Sequence, residues 1–164
     1  MNGVPDAELN SYWPVKGGLI AHNTIVDCAS LFDIGFGMGG RGRTLAPTGV
    51  VITANLVKSD SKKSILTRDP SSEVKWVENI WVGTLKGDLD GFESKELSFE
   101  QANGLSIPVS YAPLLLSTEV DSIRLDIDGH ERDGKKTVGS DVLSDSPPKY
   151  QRPTKQTVGP RWMQ

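Results

Sequence analysis

Three stretches of this chain share one pattern of apolar and polar positions. GGLIAHNTIVDC, TGVVITANLV and SEVKWVENIWVG align on Asn23, Asn55 and Asn79, which recur at steps of 32 and 24 residues. The position three before each asparagine is apolar (Ile20, Ile52, Trp76), and so is the position two after it (Ile25, Val57, Trp81). A straight strand with its two-residue period would turn these columns to opposite faces. A bend near the asparagine brings both onto one core. Asparagine suits such a corner because it tolerates left-handed backbone and hydrogen-bonds its own turn, and stacked copies can form an amide ladder. Unequal steps predict stacked coils with loops of variable length rather than helical repeats of fixed size.

The same logic predicts further strands at residues 31–34 (LFDI) and 64–67 (SILT), which follow their asparagines at similar distances. Residues 87–104 are charged and glycine-punctuated, which predicts a long loop or a degenerate last coil. IPVSYAPLLL adds one more candidate strand. After Asp121 the composition shifts to Asp, Gly, Lys and Pro, with Pro147, Pro148, Pro153 and Pro160 near the end. That composition predicts an extended strap over the coils, anchored by Trp162, rather than a second domain. The division is coils over 1–125 and strap over 126–164.

Composition supports this architecture. The 17 glycines and 10 prolines punctuate rather than extend helices, and no amphipathic helix of useful length is present. The 164 residues suit a single core. Eighteen Lys and Arg against 21 Asp and Glu leave a net charge of −3, which argues against a broad basic surface for nucleic acid. Cys28, the single cysteine, excludes an intrachain disulfide and a cysteine metal cluster, and in IVDCAS it reads as a small buried residue. No stretch approaches the length of a membrane span, and the first ten residues lack the pattern of a signal peptide.

Several stretches invite a chemical reading. Gly35, Gly37 and Gly40 satisfy GxGxxG, but Pro47 and a β-branched run follow, so no helix supplies an N-terminus to a phosphate. Arg41 and Arg43 flank Gly42 in a glycine-rich loop, where their guanidinium forks suit a polymer bearing a carboxylate on each sugar. A solvated basic turn is the alternative. DIDG, residues 126–129, lacks the further ligands of an EF-hand and reads as a turn, as does GDLDG with Asp88 and Asp90. Neither His22 nor His130 falls in a metal or triad spacing, and the mixed column of His22, Ala54 and Glu78 predicts an exposed position. Glu8, Tyr12 and Trp13 suit either a sugar-facing or a packing role.

In order along the chain, MNGVPDAELNSYWPVKGGLIAHNTIVDC, GRGRTLAP, DIDGHERDGKKTVGSD and VGPRW resemble the C-terminal half of polysaccharide lyases of the alginate lyase and chondroitinase B group. The resemblance covers nearly the whole chain. It implies an all-β fold, a right-handed parallel β-helix of about three coils, which cleaves acidic polysaccharide by β-elimination. Its opening motif lies mid-way in the family's β-helix, so the resemblance implies a fragment that is inert alone and a secreted or periplasmic parent protein. The family's catalytic lysine and arginine, and the carboxylates that hold calcium in many members, belong to coils before this motif. No catalytic or metal-ligating position is therefore assigned here. Arg41 and Arg43 occupy the loop where the family places substrate-binding arginines, and Glu8 lies near a family glutamate; Tyr12 is the fourth candidate contact. NGVPDAELNSYWPV is closer to alginate-acting members, with dermatan sulfate as the runner-up substrate. A β-helix that binds glycan without cleaving it is the competing class.

Overall fold

A computed structural model describes residues 1–8, 11–60, 65–84, 89–102, 104–110, 123–132 and 137–142. Among them are eleven short strands: β1 (Leu19–Ala21), β2 (Thr24–Val26), β3 (Phe32–Ile34), β4 (Val50–Thr53), β5 (Leu56–Lys58), β6 (Ile65–Thr67), β7 (Val74–Val77), β8 (Asn79–Val82), β9 (Phe92–Ser94), β10 (Phe99–Ala102) and β11 (Leu105–Pro108). The chain visits three sheets in turn and then returns to the first. The sheets run β1-β4-β7, β2-β5-β8-β9 and β3-β6, all parallel. Register follows the aligned columns, with Ile20 opposite Ile52 and Ile52 opposite Trp76, then Ile25 opposite Val57 and Val57 opposite Trp81.

The corner between the first two sheets is fixed by amide side chains. Asn55 Oδ1 accepts the Asn23 backbone N–H at 3.1 Å and its Nδ2 at 2.8 Å. Asn79 Oδ1 does the same for Asn55, at 3.1 and 2.9 Å. Nδ2 of Asn55 also reaches the carbonyls of Thr53 and Ile20, and that of Asn79 the carbonyls of Ile52 and Gly91. The left-handed backbone expected of the asparagines sits one residue earlier: His22, Ala54 and Glu78 have φ of 54°, 55° and 50°. Each such residue costs roughly 1–2 kcal/mol. The bend lets each asparagine face the next coil with both its N–H and its amide.

Both apolar columns then face one interior. Phe32, Val50, Ile52, Val57 and Trp81 are buried together, with Ile25, Trp76 and Phe92 against them. Phe32 meets Trp76 edge to face at 5.3 Å. Ile20, on the sheet edge, is exposed. Strand β8 is buried on both sides, as its unbroken apolar run suggests. Trp81 points into the interior, while Ile80 and Val82 join Leu56 and Val138 in a second cluster outside it.

That outer cluster is closed by residues 137–142. Gly139 donates its N–H to the Ala54 carbonyl, and Ser140 bonds Thr24 Oγ1 through both N–H and hydroxyl. A Cβ on Gly139 would lie 2.8 Å from that hydroxyl oxygen, so only glycine permits the approach. His22 lies beneath this segment and is 9% exposed, which corrects its expected exposure. Burial first, and then the charge of Arg132, push its pKa down to about 4.

Other expectations also change. Cys28 is exposed rather than buried. Within residues 87–104 the described part follows the degenerate-coil alternative rather than the loop, because β9 continues the second sheet, and β10 then pairs with β11 as an antiparallel hairpin. Strand β11 takes in only the start of IPVSYAPLLL, whose residues from 111 onward lie outside the described residues. So do Ser64, Asp88, Pro147, Pro148, Pro153, Pro160 and Trp162.

Replacing fully buried Asn55 by alanine strands donors and acceptors on both neighbouring coils, so we expect Asn55→Ala to cost about 3 kcal/mol and Asn23→Ala, at the exposed end, about 1 kcal/mol. Urea unfolding measures both, and equal losses would contradict the ladder. His22 generates a second expectation. Its folded pKa lies below its ordinary 6.5, so between pH 6.5 and 4 the unfolded chain binds the extra proton and stability falls as pH drops through that window. The loss should reach roughly 2–3 kcal/mol, and His22→Asn should abolish that part of the pH profile. A wild-type profile flat over this range would refute the assignment.

Candidate functional site

The glycine-rich loop between β3 and β4 is held from both sides. The Asn2 N–H donates to the Phe36 carbonyl, and Gly3 and Leu45 exchange backbone hydrogen bonds. Asn2 Nδ2 donates to Asp69 Oδ2 at 2.6 Å. The Ser71 hydroxyl, the Asn2 amide and the Ser71 N–H hold the Asp69 carboxyl below its usual range. Gly35 lies against Asp69 so closely that a Cβ would sit 2.6 Å from the aspartate's own. Two glycines of GxGxxG, Gly35 against Asp69 and Gly37 against Arg43, therefore serve close packing, while Gly40 faces open space. One short turn, Gly40–Gly42, replaces the helix that a phosphate site would need.

That turn separates the two arginines. Arg41 has left-handed backbone (φ 53°, ψ 38°) between two glycines, its side chain is exposed, and no carboxylate among the described residues pairs with it. Arg43 closes the turn and is only 8% exposed. Its guanidinium carbon lies 3.7 Å from the centre of the Tyr12 ring, and Gly37 lies so close beneath its Nη1 that a Cβ there would collide. The expected pair of projecting arginines is thus one outward cation and one buried one.

Tyr12 remains 43% exposed and Trp13 is 60% exposed. The Trp13 indole N–H donates to the Glu8 carbonyl at 3.2 Å, and the Ser11 N–H donates to the same oxygen. Glu8 is exposed and enters this face through its backbone. Phe36 and Met38 add exposed apolar area on the loop. Arg68 lies over Phe36, but a two-pronged pair to Asp33, at 2.5 and 2.8 Å, already occupies its guanidinium. Among the described residues this face offers exposed aromatic rings and, in Arg41, an exposed cation with no carboxylate partner, an arrangement able to hold an anionic group.

The Tyr12–Arg43 stack is absent from the motifs considered singly. A signal for it existed: the 32-residue step that pairs Asn23 with Asn55 also pairs Lys16 with Thr48, and carried further back it sets Tyr12 beside Thr44.

A second group, Asp126, His130 and Asp141, has ligand atoms all within 4.8 Å of one another. DIDG forms the expected turn, with Asp126 Oδ1 accepting the N–H groups of Asp128 and His130. Oδ2 accepts from Val142 and meets His130 Nδ1 at 3.1 Å. Burial pushes the Asp126 carboxyl up, and these hydrogen bonds outweigh it, leaving the pKa below its usual value. Arg132 supplies positive charge to both aspartates. A calcium ion wants six to eight oxygen ligands. Here three residues offer one ligand atom each, Asp126 already accepts three backbone N–H groups, and the Arg132 guanidinium adjoins, so these residues do not fit calcium. They tie the 123–132 segment to 137–142.

No helix among the described residues is long and apolar enough to cross a membrane. No family model matches the chain, and no curated protein matches it. Among solved structures, the chain is similar to the PL6 family alginate lyase AlyGC, at 28% identity and a TM-score of 0.59 over 67% of this chain. An arginine-to-alanine variant of that enzyme matches at 28% identity and a TM-score of 0.58. The chain spans 15% of the length of the enzyme it matches. Likeness in both sequence and structure supports a relationship between this chain and the polysaccharide lyases.

Proposed function

We propose that the chain forms part of a polysaccharide lyase that cleaves uronic-acid polymer, alginate first, by β-elimination, and that its Tyr12–Arg41 face binds the substrate. The observation that carries this reading is Arg41, an exposed guanidinium set between glycines near exposed aromatic rings and paired with no carboxylate among the described residues. The relationship to an alginate lyase supplies the substrate class. In this reading residues 1–125 are coils of a right-handed parallel β-helix and 126–164 a strap upon them. The repeated order of the three parallel sheets supports the coils, and right-handed crossovers are the strong preference of L-amino-acid chains. Packing of Val138 and Gly139 on β5 supports the strap.

Elimination requires a base to take the proton at C5 of the uronate. The electron pair forms a C4–C5 double bond, the C4–O bond breaks, and the leaving oxygen gains a proton from an acid. Neutralising the carboxylate acidifies that C5 proton, and Arg41 would hold such a carboxylate on a neighbouring sugar. The base and the acid have no assigned position in these 164 residues, which act here in binding. Polymers of this kind lie outside cells, which fits a secreted or periplasmic protein.

Incubating the protein encoded by the complete reading frame with alginate should raise the ultraviolet absorbance of unsaturated ends. A rise with dermatan sulfate alone would move the substrate, and no rise with either would refute the lyase reading. Within that protein, Arg41→Ala should raise KM for alginate roughly tenfold with thermal stability unchanged. An unchanged KM would return Arg41 to the status of a solvated turn.

A further inference from the structure

Arg43 is built unlike a substrate contact. The residue is only 8% exposed, and among the described residues its Nε has no hydrogen-bond partner and no carboxylate pairs with it. The guanidinium region lies against Gly37 and meets the Tyr12 ring at 3.7 Å. Gly37 has a φ of +84° and no room for a Cβ, so both its backbone and its missing side chain accommodate the arginine. The molecule thus keeps a positive charge directly under a half-exposed ring. A buried, unpaired guanidinium is unfavourable unless something negative shares its field. The ring face answers part of that need.

We infer that Arg43 is a positioning residue that acts through Tyr12, fixing the phenol as a platform and making its free face select an anionic sugar over a neutral one. An aromatic face is normally electron-rich and attracts cations. A cation held against one face draws that density inward, so the opposite face becomes a better seat for a ring that carries a carboxylate. The division of labour follows: Arg41, exposed within the turn that Arg43 closes, grips a carboxylate directly, while Arg43 tunes the surface on which an adjacent sugar stacks. Neither arginine can replace the other, because one is in solvent and one is beneath the ring. This inference rests on the proposed binding face and assigns its selectivity to one pair of residues.

The test compares binding of a mannuronate tetramer and a neutral mannose tetramer to the 164-residue chain by calorimetry. The variants are Arg41→Ala, Arg43→Met, Arg43→Lys, Tyr12→Ala and the double variant Tyr12→Ala with Arg43→Met. The parent chain should prefer the uronate tetramer. Arg43→Met should reduce that preference roughly tenfold, with Arg43→Lys retaining most of it, and should have no further effect once Tyr12 is alanine. If Arg43→Met does not fold, the retained preference of Arg43→Lys and its loss in Tyr12→Ala decide the matter. Additive losses in the double variant would show that Arg43 acts on the ligand by contact or by field without the ring, and would overturn the inference. Failure of the parent chain to bind the uronate, or indifference to Arg41→Ala, would overturn the binding face and this inference with it. A normal response to Arg41→Ala with none to the Arg43 and Tyr12 variants would overturn this inference alone.

Discussion

The amide ladder of Asn23, Asn55 and Asn79 is the constraint on which the rest of the structure depends. Each rung spends a side-chain oxygen and nitrogen on the next coil, and each is preceded by a residue in left-handed backbone. The two features are one device. Without the bend, the columns of Ile52 and Val57 would face opposite ways; without the amides, the strained bend would have no compensating bonds. Because parallel strands lack the tight turn that fixes register in a hairpin, the ladder also sets which residue lies over which.

Once the corners are fixed, the stretches between them are free to vary, and the face proposed to bind substrate lies in such a stretch. The loop from β3 to β4 is long and glycine-rich, yet Asn2, Asp69 and the Gly3–Leu45 bridge hold it. Rigid coils therefore present a loop whose side chains have separate tasks. Arg41, itself in left-handed backbone between glycines, is exposed, and Arg43 is drawn under Tyr12. On the other side, residues 137–142 cover the outer face of β5 and bury His22, so a titrating group underlies the seam rather than the loop.

Much of this was legible in the sequence, because a core that repeats in space repeats in the chain. The two apolar columns and the amide ladder came directly from aligning three asparagines. The left-handed position was misplaced by one residue, since His22, Ala54 and Glu78 share a backbone angle but no chemistry. IVDCAS taken alone suggests a buried Cys28, but its aligned partners Asp60 and Thr84 are polar and imply a surface column. The burial of His22, and the meeting of Asp126 with Asp141, depend on segments whose docking leaves no periodic trace. The arginine loop was found from residue type and resemblance. Its internal division was not, because a stack between Tyr12 and Arg43 requires knowing which coil lies over which.

The central claim is that one face, built on the β3–β4 loop and the segment before β1, receives an anionic sugar chain. Mapping amide and indole chemical shifts of the 15N-labelled chain during titration with a mannuronate tetramer tests it most directly. The expected result is a set of saturable changes confined to residues 11–13 and 36–45, with the Trp13 indole among them and the Asp126–Asp141 cluster unmoved. Changes centred on Asp126, His130 and Asp141, or no saturable change at any residue, would contradict the account.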